Sequence, residues 1–246
     1  MFCFRAVVGA VELAFTDRFG GVSSGAWSSL NVGTRTGDDA ERAHRNIELL
    51  AAEFGVERDR LVRMSQHHTR DVVVVDGSAD MGRLVPAADS LVTAIPGVPL
   101  MARAADCVPV VLADVEAGVV GVVHSGREGT KLDICGAAVV AMRDAGATRL
   151  RAWLGPRACG RCYEVPETMR AEVTTAVPAA WSTTRAGSPA LDLGRAVASQ
   201  LAAAGVGVTD LADAASTCTI EDDRFFSYRR QGPRSGRLGA LVRVRT

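Results

Sequence analysis

Two valine-rich runs separated by a short polar break constrain this chain most: Cys107-VPVVLA-DVEA-GVVGVV-His124. Each run is too short for a helix and rich in β-branched residues, so the segment reads as two antiparallel strands. The loop is then Asp114-Val115-Glu116-Ala117, Ala113 pairs with Gly118, and counting outward sets Cys107 directly opposite His124. Opposed cross-strand residues hold their Cβ atoms about 5 Å apart. At that separation a thiolate and an imidazole can share a metal ion, or a nucleophile can meet its base. Parity makes the expectation strict, because one extra loop residue would send the two side chains to opposite faces.

Around this hairpin the chain mixes strands and helices. Residues 1–16 read as an opening strand, followed by the Gly/Ser-rich loop GGVSSGAWSSLNVGTRTGDD, which carries Trp27 and Asn31. A structureless loop of about twenty residues tends to be functional. Asp38 or Asp39 can cap a helix running to Gly55, with Ile47, Leu50 and Phe54 on its apolar face. Short strands are predicted at 61–64, 72–75, 88–92, 100–104 and 150–154, and a last strand in GALVRVRT. Helices are predicted in KLDICGAAVVAMRDAGA and near 167–176 and 191–204. No linker or fixed-period repeat divides the chain, so residues 1–246 read as a single α+β domain.

Composition excludes several classes. Apolar content of 48% with 23% charged residues is globular. Lys+Arg and Asp+Glu balance at 28 each, which gives no basic face for nucleic acid or an acidic membrane surface. No run approaches the ~20 apolar residues of a membrane helix. Arg5 and Glu12 interrupt the N-terminal apolar stretch, which argues against a signal peptide. Six cysteines are too sparse for a disulfide scaffold in a chain of this size, and a reduced, cytoplasmic protein is expected.

The chemistry concentrates on His68, Cys107 and His124. His68 sits at a strand–loop junction beside His67, and spacing alone does not choose between them or exclude a surface pair. Cys107 taken alone is as ordinary as any small buried hydrophobe. His124 closes an apolar strand, where a buried imidazole needs a partner. Together, two His and one Cys supply the three protein ligands of an open zinc site, whose bound water is acidified toward pH ~7. Asp106 alternates to the far face from Cys107 and is at best a supporting group. Cys159-Gly-Arg-Cys162 lacks a second Cys pair and reads as a loop element. FFSYRRQGPRSGR places Arg229, Arg230, Arg234 and Arg237 around Tyr228 and Phe226, a pattern suited to gripping phosphate and stacking a base, or to a solvated basic loop.

The chain resembles the YfiH-type laccase-domain family nearly end to end. The resemblance rests on the Gly/Ser-rich loop, SQHHTRDVVVVD, ADSLVTAIPGVPL, AADCVPVVLAD, GVVGVVHSGREG, LGPRACGRCYEVP and FFSYRRQGPRSGRLGALV, in one order. The family's Gln-Val-His-Gly falls on Gln66 to Thr69 and makes His68 the ligand. Its Ala-Asp-Cys falls on Ala105 to Cys107, and its His-Ala-Gly-Trp-Arg-Gly on His124 to Gly129. Two departures stand out. Thr69 replaces the Gly, and Arg127-Glu128 replaces Trp-Arg, so any phosphate grip there passes to Arg127 or changes specificity.

The resemblance implies two α+β units in a four-layer α/β/β/α sandwich with mixed sheets. It also implies phosphorolysis of purine nucleosides, among them adenosine, inosine, guanosine and methylthioadenosine, together with adenosine deamination. Purine nucleosides and phosphate would be the partners and zinc the metal, with copper possible. Arg229 or Arg230 is expected to contact phosphate, and Asn31 to contribute from its loop. An alternative keeps the same residues without metal, with Cys107 as nucleophile and His124 as base of an amide hydrolase that edits peptidoglycan precursors. The family's older label, polyphenol oxidase, fits poorly. Four histidines cannot supply a blue-copper site plus a trinuclear cluster, which leaves copper oxidation as a side activity. A binding protein without turnover is a third class, if Glu128 has cost activity.

Overall fold

The computed structural model describes all residues except 78–81, 83, 86 and 212–217. In chain order the strands and helices are β1 (Phe2–Val8), β2 (Val11–Thr16), α1 (Ala40–Glu53), β3 (Val62–Met64), β4 (Val72–Val74), β5 (Leu84–Val85), β6 (Ser90–Thr93), β7 (Leu100–Ala104), β8 (Val108–Asp114) and β9 (Val119–Ser125). Then follow α2 (Arg127–Lys131), α3 (Ile134–Asp144), β10 (Arg151–Leu154), α4 (Glu167–Ala176), β11 (Trp181–Thr183), β12 (Pro189–Leu191), α5 (Leu193–Ala203), β13 (Gly207–Asp210), α6 (Tyr228–Gln231) and β14 (Leu238–Val244).

The strands form two six-stranded sheets, ordered β1-β2-β14-β7-β3-β5 and β13-β10-β8-β9-β6-β4, with β11–β12 as a separate ribbon. Both large sheets are mixed. The β8–β9 and β2–β14 pairs are antiparallel, whereas β3–β7, β4–β6 and β10–β13 are parallel. Their inner faces share one core, in which Leu13, Phe15, Leu100 and Val242 of one sheet meet Leu91, Val111, Val122 and Trp153 of the other. The outer face of the second sheet packs Val110, Leu112 and Val123 against α3, α4 and α5. The outer face of the first sheet packs Ala14, Met101 and Leu241 against Ile47, Leu50 and Phe54. The architecture is therefore the α/β/β/α sandwich. Strands covered on both faces explain why these runs are apolar throughout rather than alternating.

Local signals account for the helices. Asp39 caps α1 by accepting from the N–H groups of Glu41 and Arg42, and Asp192 caps α5 through Arg195. Two expectations need correction. Residues 1–16 are a hairpin and not one strand, because Gly9 takes a left-handed φ of 58° and turns the chain. Arg5 and Glu12 form an ion pair diagonally across it, and Arg243 holds the same carboxylate from β14. The helix expected from Lys131 starts only at Ile134. Asp133, in the left-handed region at φ 55°, ends one helix and caps the next through Gly136. No helix among the described residues is long and apolar enough to cross a membrane.

Candidate metal and nucleoside site

The site lies at the end of the β8–β9 hairpin, on the face that looks toward the other sheet. The ladder pairs Asp114 with Val119, Pro109 with His124 and Val108 with Ser125. The loop is therefore Val115–Gly118, one residue later than the sequence suggested. Both ends shift together, so parity survives but opposition does not. Extended by one residue, the ladder sets Cys107 across from Gly126, and His124 is its diagonal neighbour. The separation is bridged because nothing projects from Gly126. A Cβ there would stand 2.5 Å from His68 Cδ2 and 3.0 Å from Cys107 Sγ.

His68 arrives from the loop between β3 and β4 with φ 60°, and Asp106 precedes the cysteine with φ 83°. Non-glycine residues held in that region cluster at functional sites. His68 Nε2 lies 3.8 Å from Cys107 Sγ, and the two imidazole rings sit edge to face at 4.8 Å. The ligand atoms of His68, Cys107 and His124 all fall within 4.8 Å of one another. His67, the competing histidine, stands outside this cluster on the cavity wall, with its Nε2 3.1 Å from Ser65 Oγ.

Asp89 is the residue that sequence reasoning missed. The β6–β9 ladder pairs Ser90 with Val123, and its extension sets Asp89 opposite His124, whose N–H donates to Asp89 O at 2.8 Å. Its carboxylate is fully buried; Oδ1 meets His124 Nδ1 at 2.8 Å, and Oδ2 accepts from the N–H groups of His67 and Thr69 at 3.0 and 2.8 Å. One side chain thus fixes the tautomer of His124 and the loop that carries His68. Burial would raise this carboxyl, but the hydrogen bonds from His124 and the loop hold it down at about 2. Burial would also keep His124 neutral, yet the charge of Cys107 and the bond to Asp89 push it up to about 9. Burial opposes a thiolate at Cys107, and His124 with His68 nevertheless pulls it down to about 6. Without metal, the pair is a thiolate beside an imidazolium.

Such carboxylates typically govern metal affinity, so Asp89→Asn is expected to weaken binding of any metal held by the cluster about 10- to 100-fold. Competition against a chromogenic chelator measures this, and unchanged affinity would rule out an orienting role. The stabilisation from the depressed carboxyl is present above its unfolded value near ~3.9 and is lost as pH falls toward about 2. The acid limb of the stability curve should therefore flatten in that variant.

The cluster opens into a cavity of about 790 Å³. Of the candidate residues, His68, Cys107, His124, Arg127 and Arg229 line it, and Asn31 and Arg230 do not. Asn31 is fully buried and acts as a fastener, accepting the N–H of Arg237 at 2.9 Å and donating to Asp38 and Thr36. Arg230 is consumed by the carbonyls of Thr219, Ile220 and Phe225, which removes it from the cavity. Phe226 is likewise buried beneath Arg18, which leaves Tyr228 on the cavity wall. Arg127 reaches the cavity but pairs with its neighbour Glu128 at 2.8 Å, so the Arg-Glu replacement adds little net charge. Asp106 supports the site from behind, accepting from Arg229 N and Thr219 Oγ1 at 2.6 Å each.

Arg35, Arg103, Arg237, Tyr163 and Met169 also line the cavity. Arg103 carried a usable signal, since a lone cation in the apolar strand Leu-Met-Ala-Arg-Ala needs a reason to be there. Its burial, together with the nearby charges of Arg63, Arg237 and Arg35, lowers it to about 10. Among the described residues, no carboxylate pairs with Arg35, Arg103 or Arg237.

This geometry meets its relatives in known proteins. The sequence profile described as multi-copper polyphenol oxidoreductase laccase matches residues 12–245. The chain belongs to that family. Within the laccase-like group it is 48% identical to purine nucleoside phosphorylase ORF3 of Streptomyces griseus over 238 residues, covering 96% of this chain and 95% of that protein. It is 34% identical to adenosine deaminase RL5 from an unknown prokaryotic organism, with 95% and 94% covered. The crystal structure of YlmD from Geobacillus stearothermophilus superposes with a TM-score of 0.87 at 31% identity, over 96% of this chain and 93% of that one. YfiH of Bacillus licheniformis follows at 0.85 and 26%, with the same coverage. The Streptomyces griseus and RL5 relatives both carry the names of enzymes acting on purine nucleosides. Of the four histidines only His68 and His124 enter the cluster, and His44 lies exposed on α1. That is too few imidazoles for a set of copper centres.

Proposed function

We propose that this protein is a zinc-dependent purine nucleoside phosphorylase with adenosine deaminase activity, working in a reduced cytoplasm. The observation that carries the reading is a three-ligand Cys-His-His cluster open to a cavity in which Arg35, Arg103 and Arg237 pair with no carboxylate among the described residues. The names of its relatives support the same substrate class. The donor set fits zinc, because one thiolate and two imidazoles leave a coordination position free and Asp89 fixes the ring of His124. Zinc held there would supply a Lewis acid to the reacting centre.

The chain's own residues do the rest. Arg35, Arg103 and Arg237 form an anion-binding wall suited to phosphate, a role expected from the motif for Arg229 or Arg230. Tyr163 lies under Arg229 at 4.9 Å and offers, with Tyr228, an aromatic surface for the purine. In phosphorolysis a phosphate oxygen bonds to the ribose C1′ as the C1′–N9 bond breaks, and the purine leaves with the electron pair and takes up a proton. Deamination instead adds water at C6 and releases ammonia.

Incubation with adenosine, with and without phosphate, and chromatography of the products tests the reading. Adenine that needs phosphate, and inosine that does not, are expected, and both should vanish in Cys107→Ala. Zinc-loaded protein without turnover on any purine nucleoside would overturn it. A second reading is favoured by one geometric fact: Asp89 Oδ1 meets His124 Nδ1 at 2.8 Å and Cys107 Sγ lies within 4.8 Å of a ring nitrogen of His124, the carboxylate–imidazole–thiol order used by cysteine hydrolases. It predicts release of amine from a peptidoglycan-precursor amide by metal-free protein, with zinc as an inhibitor. Copper oxidation would remain a side activity of the same ligands.

A further inference from the structure

We infer that Cys159, Cys162, Cys218 and Glu221 form a second, structural zinc site. The inference is independent of the reading of the cavity. Cys159 and Cys162 lie on the tight turn between β10 and α4, where the N–H groups of Cys162 and Tyr163 both donate to Cys159 O at 3.0 Å. That turn directs the two sulfurs to one side, the arrangement zinc-binding C-x₂-C turns use. The other half comes from a distant segment. Cys218 forms a parallel bridge with Arg157, and Thr219 N–H donates to Arg157 O at 3.0 Å. Cys218 is thereby set beneath the turn, and the N–H of Cys159 donates to its sulfur at 3.4 Å. Glu221 Oε2 approaches Cys159 Sγ at 3.9 Å, and all four ligand atoms lie within 4.8 Å of one another.

Three features favour metal over other uses. Zinc–sulfur bonds of about 2.3 Å in a tetrahedron place sulfurs about 3.8 Å apart, so the group closes on an ion with small rotamer adjustments. Three thiols cannot all be paired as disulfides among themselves, and all six cysteines of the chain are free. The ligand set is also complete. Three thiolates and a carboxylate fill four positions, as structural zinc requires, whereas the cavity cluster leaves one open. Such a centre is a net anion by formal charge, and Arg185 is placed to offset it, pairing with Glu221 and lying 3.8 Å from Cys162 Sγ. Glu221 is exposed and the cysteines of the turn half-buried, so the ion has a route in from solvent.

The consequence for the molecule is an anchored wall. The turn carries Tyr163 into the cavity, and Glu164 O accepts from Arg229. The Cys218 segment supplies Thr219 to Asp106 and the carbonyls that capture Arg230. Zinc would tie these two segments together behind the nucleoside pocket.

Cys107→Ala separates the two sites, because it disables the cavity cluster and leaves this one whole. After zinc loading and desalting, wild type should retain about two zinc ions per chain and Cys107→Ala about one. Cobalt substitution of Cys107→Ala should give thiolate-to-cobalt charge-transfer bands with intense tetrahedral ligand-field bands. Cys159, Cys162 and Cys218 should resist alkylation, mapped by mass spectrometry, until a chelator is added. Cys218→Ser in that background should lose the remaining ion. Should that variant not fold, the cobalt spectrum and alkylation map of Cys107→Ala decide alone. Cys107→Ala protein that holds no metal, or that carries a disulfide between two of these cysteines, overturns the proposal.

Discussion

Gly126→Ala is expected to lower turnover by about 100-fold while leaving the fold intact. The backbone at Gly126 is extended, with φ −86° and ψ −175°, so alanine meets no conformational penalty there. The added methyl group would fall 2.5 Å from His68 Cδ2, closer than a carbon can stand, and 3.0 Å from Cys107 Sγ, a tight contact. His68 is exposed on its loop and can swing outward at little cost to stability, but it then leaves the cluster. Thermal unfolding should change little, while zinc affinity and turnover fall together toward those of His68→Ala. Full turnover with alanine at this position would mean that His68 takes no part in the chemistry.

The second large effect concerns the metal-free protein. With Cys107 drawn down to about 6, its thiolate dominates at neutral pH, although burial alone would oppose it. The charge that holds it there belongs to His124, which stays protonated up to about 9. Iodoacetamide should therefore alkylate Cys107 with a rate that rises through about pH 6 and is level at 7. Removing the imidazolium in His124→Ala should return the thiol toward its ordinary value near ~8.5, and slow alkylation at pH 7 about 30-fold. The sign is fixed by charge, since losing a neighbouring cation can only raise a thiol. An identical pH profile in the variant would mean that the two groups are not paired, and would weaken the hydrolase alternative most. Saturating zinc should abolish alkylation in wild type by occupying the sulfur.

How much of this was legible beforehand is clearest at the hairpin. Alternation along a strand is a local property, so parity between Cys107 and His124 could be counted from the chain. The loop was placed one residue early, yet both strands moved together and the two side chains kept one face. The helix cap at Asp39 was equally local. The Gly/Ser-rich loop did supply cavity residues, Gly33 to Thr36, but Asn31 serves it from the interior. Some failures were local, the turn at Gly9 and the helix start at Asp133 among them, and the others were long-range. Arg229 and Arg230 are chemically equivalent neighbours in sequence, and only the packing of α6 sends one to the cavity and the other to a ring of carbonyls. Cys159 and Cys162 lacked a partner pair until the bridge at Arg157 brought Cys218 beside them, 56 residues beyond Cys162.

By itself the sequence determined that Cys107 to His124 is a hairpin, that its two ends share one face, and which residue types could ligate a metal. Those properties follow from backbone geometry and from side-chain chemistry within a few residues. Tertiary structure decided which strands became neighbours. It seated β14 between β2 and β7, set β6 beside β9 so that Asp89 meets His124, and gathered Arg35, Arg103 and Arg237 from three separate elements. Such contacts depend on how two sheets and their helices bury their faces together. That burial is a collective free energy of the whole chain, and no local window of residues contains it.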